Sequence, residues 1–359
     1  MRRRVLGLVA VLTTLVAAAG CGSSDPEADG SSSSGGNKTT RVKVGIIPIV
    51  DVAPLYLGQK KGFFGSRGIE LDMVSAQGGA AIIPGVVSGQ FQFGFSNTTS
   101  LMIAQVKGVP VKSVVNGAAS NGKVGGDVTG VGVPKDSPIK SAADLAGHTV
   151  AVNTLKNIGD TTVRESVRVA GGEPSEVKFV EIPFDQMPAA LEDGRVDAAW
   201  MGEPAMTIAK AQGVRVVASP FAETDPKLTV ATYFTSAKLV KEDPGLVKKF
   251  TEAMTESLKY ASGHPDEARQ VLTTYTKING DVLAKLTLPA WPGAVDMDSL
   301  EKLAALGKED GLFGDKSRIW RRSSLNGAAR CCLGGSAPHP GAQFPAPLKE
   351  GGWARQPGA

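Results

Sequence analysis

The chain has 359 residues, 42% of them hydrophobic and 21% charged, the composition of a folded globular protein long enough for two domains. Its net charge of +4 belongs to the ends: three positive charges sit in Arg2–Arg4 and a net five in residues 317–359, so the body between them is net −4. A mildly acidic body offers no basic face for nucleic acid, and with no cysteine between Cys21 and Cys331 it builds neither a disulfide framework nor a thiolate metal site.

MRRR is followed by the apolar run VLGLVAVLTTLVAAAG and then Cys21, the layout of an export signal. The run is short for a membrane span. Its end, AAGC, resembles a bacterial lipoprotein lipobox, with Ala18 where that pattern prefers Leu. The resemblance implies cleavage before Cys21, lipidation of its sulfur and a protein held outside the cytoplasm by a lipid anchor. Residues 1–20 thus read as a signal peptide, and residues 21–41, rich in Gly and Ser, as anchor and flexible tether.

From residue 42 strands and helices alternate. VKVGIIP reads as a strand, APLYLGQKKGFF as a helix, GIELDMV as a strand and AAIIPGVVSG as a helix; QFQFGFSN, TSLMIAQVKG and VPVKSVV repeat the alternation. VTGVGVPKDSPIKSAADLAG reads as an extended crossover. A second series follows: HTVAVN, the helix GDTTVRESVRVAGG, VKFVEIP, MPAALEDG, RVDAAWMGEP, AMTIAKAQG and VRVVAS. The two series share a phrase, IAQVKGVPV at Ile103–Val111 and IAKAQGVRV at Ile208–Val216, identical at five of nine positions and 105 residues apart. Gly89 and Gly194 keep the same spacing.

LTVATYFTSAKLV, Leu228 to Val240, reads as a strand returning to the first series. Two helices follow, with Pro244 and HPDEA at their starts. Leucines at three- and four-residue spacing then continue to Lys316. Beyond it the periodicity stops, and twelve of the last 43 residues are Gly or Pro. Residues 317–359, which hold the pair Cys331 and Cys332, read as a disordered or out-of-frame tail and are assigned no function.

Alternating short strands and helices in two series predict two α/β lobes joined by a double crossover hinge: residues 42–128 with 228–316, and residues 129–227. Ligand in such a protein sits between the lobes. APLYLGQKKGFFGSRGIELDMV, PGVVSGQFQFGFSNTTSLMIAQVKGVPVKSV, SAADLAGHTVAVN and PAALEDGRVDAAWMGEP together resemble the extracytoplasmic solute-binding proteins of ABC importers, in particular the nitrate/sulfonate/taurine group and its pyrimidine-precursor relatives. The resemblance covers about residues 42–314. It implies a type II periplasmic-binding fold that delivers a small solute to ABC permease transmembrane subunits, acting as a monomer without cofactor or metal.

Ligands of open α/β sheets bind beyond the carboxyl ends of the strands. That rule selects Asp51 after the first strand, Gln77 and Gly78 after the second, and Ser96, Asn97 and Thr98 after the third. In the second series it selects Asn153, Thr154, Asn157 and Gly159, then Met201 and Glu203. Helix N-termini there would hold a sulfonate, nitrate or carboxylate, though Ser, Asn and Thr in these places are also ordinary caps. Asp51 and Glu203 instead favour an amine or amidine, as in taurine or an aminopyrimidine; each also has a reading as a loop acid or an interlobe salt bridge. Trp291 is expected to pack against the first lobe.

Two other uses of the fold are set aside on the residues. A pyrimidine-synthesising enzyme resembling this group would need a cleft histidine, but His148 begins a strand, His264 precedes a helix and His339 lies in the tail. No phosphate loop or nucleophile elbow is present. A regulator's sensing domain would follow a helix-turn-helix, where this chain has an export signal and a tether.

Overall fold

The computed structural model describes residues 39–278 and 280–314. The signal, Cys21, most of the tether and the C-terminal tail lie outside them. Two five-stranded sheets form the frame, and they share one strand arrangement.

In the first series β1 (Thr40–Ile46), α1 (Ala53–Lys60), β2 (Ile69–Ser75), α2 (Gly79–Val87), β3 (Phe93–Asn97), α3 (Thr98–Val106) and β4 (Val111–Ala119) follow one another. β1 lies between β2 and β3 and runs parallel to both. In the second, β5 (Thr129–Val133) precedes β6 (Thr149–Val152), α4 (Ile158–Val169), β7 (Lys178–Glu181), α5 (Met187–Glu192), β8 (Ala198–Gly202), α6 (Ala205–Ala211) and β9 (Arg215–Ala218). Here β6 lies between β7 and β8, again parallel to both. After α7 (Pro220–Thr224) the chain returns as β10 (Thr229–Ser236), then continues through α8 (Ala237–Glu242), α9 (Pro244–Gly263), α10 (Pro265–Gln270), α11 (Gly280–Lys285) and α12 (Met297–Glu309).

The sheet orders are β2-β1-β3-β10-β4 and β7-β6-β8-β5-β9. In both, the strand that has just crossed from the other lobe inserts antiparallel between the third and fourth strands of the series. This corrects one sequence reading. Thr129–Val133 is an interior strand of the second sheet, wholly buried, and not part of an extended connector. Its glycines disguise it: a Cβ on Gly132 would stand 2.6 Å from Val214 and 2.7 Å from Met201, so the strand trades β-propensity for close packing.

The repeated phrase occupies equivalent places, α3 into β4 and α6 into β9. Its two glycines have the same task. Gly108 (φ 78°) and Gly213 (φ 91°) follow the two helices in the left-handed conformation that ends a helix and that a side chain resists.

Both sheets are covered on both faces. Over the first, α9 sets Phe250 in a stack with Phe93 (centroids 3.8 Å apart) and against Phe64, all three buried. Truncation of such a side chain to Ala costs about 3–5 kcal/mol. In the second, Met187, Leu191 and Met206 of α5 and α6 fill one face, while Val163 and Val167 of α4 pack on the other. α12, with Leu300, Leu303 and Leu306 turned inward, packs against α3, α4 and β10.

Candidate functional site

The loops beyond the carboxyl ends of β1, β2, β3, β6 and β8 meet between the sheets. Four hydrogen bonds join them: Val50 N–H to the Glu203 carbonyl (3.3 Å), Asn153 Nδ2 to the Gln77 carbonyl (3.3 Å), and an exchange in which Asn157 Nδ2 donates to Ser100 Oγ (3.0 Å) while that hydroxyl donates to Asn157 Oδ1 (3.2 Å). Gly78 completes the junction, since a Cβ there would come within 2.8 Å of Thr154 Oγ1. Gln77, Gly78, Asn153, Thr154 and Asn157 are therefore brought together across the two lobes.

Around the start of α3 the expected residues divide. Asn97 caps the helix, its Oδ1 accepting from Ser100 N–H at 2.8 Å. Thr98 turns inward and donates to the Thr229 carbonyl of β10 (3.2 Å). Ser96 is fully buried against Gly79, whose Cβ would lie 2.0 Å from Ser96 Oγ. Thr99 is buried with an unpartnered hydroxyl. At the start of α4, the Asn157 Oδ1 accepts from Ile158 N–H, and the first turn carries its own carboxylate: Asp160 accepts from Lys156 N–H at 2.9 Å. Burial raises the Asp160 pKa to about 6 against the pull of that backbone donor. The positive end of α4 is occupied by a side chain of the protein itself.

On β8 the alternation of side chains decides between neighbours. Met201 points into the core beneath α5 and α6, away from the junction. Trp200 points the other way, between Phe184 and Phe221, and presses on the first turn of α4, where a Cβ on Gly159 would stand 2.9 Å from its ring. Its Nε1 is buried without a partner. The same loop supplies Glu203, 1% exposed, whose carboxylate accepts from Thr207 N–H (3.1 Å), Thr207 Oγ1 (2.8 Å) and Thr287 N–H (3.3 Å). These bonds tie β8, α6 and the segment after α11 into one block. Burial raises the Glu203 pKa, with the Thr207 and Thr287 donors working against it.

Asp51 sits on the single turn of 3-10 helix (Val50–Val52) after β1. Two aromatic side chains hold that turn by its backbone: Trp291 Nε1 donates to the Asp51 carbonyl (3.3 Å) and Tyr275 Oη to the Ile49 carbonyl (3.1 Å). Trp291 is buried against the first lobe. The Asp51 carboxyl is buried, and its pKa is pushed up to about 7, mainly by desolvation and further by Asp127, while its own backbone N–H opposes the rise. Tyr233 of β10 has a buried, unpartnered hydroxyl, and Tyr56 stacks on Tyr275 with ring centroids 4.0 Å apart. The sequence reading missed Ser100, Asp127, Tyr56, Tyr233 and Tyr275, and it took Met201 rather than its neighbour Trp200, although the period-two alternation along RVDAAWMGEP was a local signal.

Among the described residues no group of His, Cys, Asp and Glu is placed to hold a metal ion. None of the described helices is long and apolar enough to cross a membrane.

Residues 49–268 match the NMT1/THI5-like family over more than half of the chain. The chain belongs to that family. It is 28% identical over 242 residues to the riboflavin-binding protein RibY of Chloroflexus aurantiacus, covering 62% of each chain. With the formylaminopyrimidine-binding protein of Halalkalibacterium halodurans it shares 24% over 226 residues, 61% of this chain and 65% of that one. The matches thus span just under two thirds of these two curated relatives. In solved structures the fold recurs in the alkanesulfonate-binding protein SsuA of Xanthomonas axonopodis pv. citri bound to MOPS, at a TM-score of 0.65 and 15% identity, covering 81% of this chain and 98% of that one. The two β-sheet lobes are those of the type II periplasmic-binding fold.

Proposed function

We propose that this protein captures a small nitrogen-bearing solute between its lobes and delivers it to the transmembrane subunits of an ABC importer. Residues 42–128 with 228–316 form one jaw and residues 129–227 the other, and closure turns about the crossings near Thr129 and Leu228. A lipid on Cys21 would keep the protein at the outer face of the membrane. Asp51, Gln77, Gly78, Asn153, Thr154 and Asn157 line the solute's place, with Ser96, Asn97, Thr98, Gly159, Met201 and Glu203 shaping it from behind.

One observation carries the choice of solute: among the described residues no Lys, Arg or His forms an ion pair with Asp51, and the helix start best placed for an anion is already filled by Asp160. A bare oxyanion there would meet like charge, whereas a donor-rich nitrogen compound finds acceptors. The named ligands of the two curated relatives, riboflavin and a formylaminopyrimidine, agree with that chemistry. A sulfonate such as taurine, or nitrate, is the second reading, favoured by α2, which starts beside Thr154 with no side-chain cap on Gly78.

Thermal unfolding of the full chain, paired with small-angle scattering, tests the reading. An aminomethyl-substituted aminopyrimidine should raise the melting temperature, by the equivalent of about 2.7 kcal/mol at a hundred times Kd, and contract the particle. Ethanesulfonate and nitrate should do neither. Contraction by those anions alone would make the second reading correct.

A further inference from the structure

The segment after α11, residues 286–292, is bonded to four separate parts of the fold. Thr287 N–H donates to Glu203 Oε1 in the second lobe (3.3 Å). The Leu288 carbonyl accepts from Asn121 Nδ2, just past β4 (3.3 Å). Ala290 exchanges two backbone hydrogen bonds with Ala119 of β4 (2.9 and 3.0 Å), and the Pro292 carbonyl accepts from Asn116 Nδ2 of the same strand (2.7 Å). Trp291 Nε1 donates to the Asp51 carbonyl (3.3 Å). The segment is a strap that joins the first sheet, the Asp51 turn and the second lobe.

Glu203 closes the strap into a ring. Its carbonyl accepts from Val50 N–H, beside Asp51 (3.3 Å), and its own N–H donates to the Val128 carbonyl (3.2 Å). The Asp51 turn is thereby gripped twice from one residue of the opposite lobe: directly at Val50, and again through Thr287, the strap and Trp291. Glu203 is 1% exposed, and both carboxylate oxygens are engaged by the protein: Oε1 with Thr207 Oγ1 and Thr287 N–H, Oε2 with Thr207 N–H. A buried carboxylate with its acceptors filled in this way holds structure.

We infer that Glu203 is a positioning residue: through the strap it sets the Asp51 turn of the first lobe against the second, and it serves solute capture without touching solute. This rests on the interlobe reading above and assigns a part in it. The Val128 bond ties Glu203 to the residue before Thr129, where closure turns, so the grip lies near the axis and persists as the lobes swing. The task needs a carboxylate. An amide of the same shape has one accepting oxygen. With that oxygen on Thr207 N–H and the amide N–H₂ on a reversed Thr207 hydroxyl, both Thr207 groups stay satisfied and Thr287 N–H is left facing another donor. Glu203→Gln therefore frees the strap and little else, whereas Thr207→Val loses the hydroxyl bond and leaves the Thr287 bond in place.

Hydrogen–deuterium exchange of the full chain without solute tests this. Glu203→Gln should speed exchange over residues 47–53 and 286–291 about tenfold, the scale of one lost backbone hydrogen bond, and leave α9 at the parent rate. Trp291→Phe, which keeps an aromatic ring and drops the N–H donor, should do the same over 47–53, and the double variant should add little to either. Thr207→Val should lower the melting temperature with exchange over 47–53 unchanged, which separates positioning from plain stability. Unchanged exchange over 47–53 in Glu203→Gln would overturn the inference, as would an equal rise in Thr207→Val or strict additivity in the double variant. If Glu203→Gln does not fold, Trp291→Phe decides, and no rise over 47–53 would sink the strap. In calorimetry with the aminomethyl-substituted aminopyrimidine, Glu203→Gln and Trp291→Phe should each weaken binding about fivefold through lost preorganisation. A far larger loss in Glu203→Gln alone, with exchange unchanged, would make Glu203 a solute ligand instead. If the probe neither binds nor contracts the parent protein, the choice of solute falls, while the exchange result still decides the role of Glu203.

Discussion

Asn157, at the head of α4, and Ser100, in the first turn of α3, exchange a pair of hydrogen bonds across the two lobes at 3.0 and 3.2 Å, and both are buried. Two helix starts thereby face each other with neutral side chains, and Asn97 has already satisfied the Ser100 N–H. Each lobe hides donors that an opening motion must give to water. That exchange costs little when both partners hydrate, and more when one is deleted and the other stays buried. Ser100→Ala and Asn157→Ala should each lower stability by about 1–2 kcal/mol. The double variant should lose less than the sum, with a coupling of about 0.5–1.5 kcal/mol in chemical denaturation. Strict additivity would mean that the two side chains do not hold each other in solution.

The raised acids give a stability that runs against the usual carboxylate trend. Asp51 goes from 3.8 to about 7 and Asp160 from 3.8 to about 6, each through burial. A folded pKa above the unfolded one means that the native state binds more protons between those values. Stability is then greatest below about pH 4 as far as these groups are concerned, and declines as pH rises to about 7. For Asp51 the span of about three units sets a ceiling of about 4 kcal/mol. Asp51→Asn should therefore melt well above the parent at pH 8 and close to it at pH 4. A difference that is the same at both pH values would place the Asp51 carboxyl in water.

How far the sequence could be read depended on whether a signal was local. Both α/β series were legible because their periodicity lies in consecutive residues, and β10 showed as a β-branched and aromatic run after a turn. β5 was not, because TGVGV carries glycines where packing across the sheet demands them. At the site, the strand-end rule found Asn153, Gln77 and Gly78, which do meet, and Asn157, which meets Ser100 instead. It could not tell Trp200 from Met201 without knowing which face of β8 turns to the junction, nor foresee that the Glu203 carboxylate is spent on Thr207 and Thr287, 84 residues away in the latter case. Tyr275 reaches the Ile49 carbonyl from far along the chain, and no local pattern marks it.

Gly78 offers a test of closure separate from folding. Its backbone is extended, so alanine is conformationally allowed, and a Cβ would meet Thr154 Oγ1 at 2.8 Å and Asn153 Nδ2 at 3.5 Å. Both obstacles belong to the opposite lobe. Gly78→Ala should keep the unfolding free energy of the free protein within about 0.5 kcal/mol of the parent and weaken binding of the aminopyrimidine probe about tenfold. Gly65→Ala, with nothing within 4 Å of the added atom, is the control. Equal affinity in the two variants would show that the lobes do not approach this closely around solute.

Arg168 joins the lobes on another flank. It lies at the end of α4, beside Glu165 of the same helix (2.5 Å), and reaches Glu309 (3.1 Å) and Asp310 (3.6 Å) at the end of α12. Glu309 is exposed, so its share is small and screened by salt. Asp310 is different: its side chain is 7% exposed, one oxygen has no hydrogen-bond partner, and burial raises its pKa despite Arg164 and Arg168. Removing Arg168 takes away the cation that pairs with this buried acid and leaves only the charge of Arg164 to offset its burial. Arg168→Met, which keeps most of the aliphatic stem, should cost about 1–2 kcal/mol at low ionic strength. In 1 M NaCl about half of that loss should persist, because salt reaches the Glu309 pair and not Asp310. Asp310→Asn in the Arg168→Met background should restore part of the stability at neutral pH. A loss that vanishes completely in salt, with no rescue by Asp310→Asn, would reduce the contact to an ordinary surface ion pair.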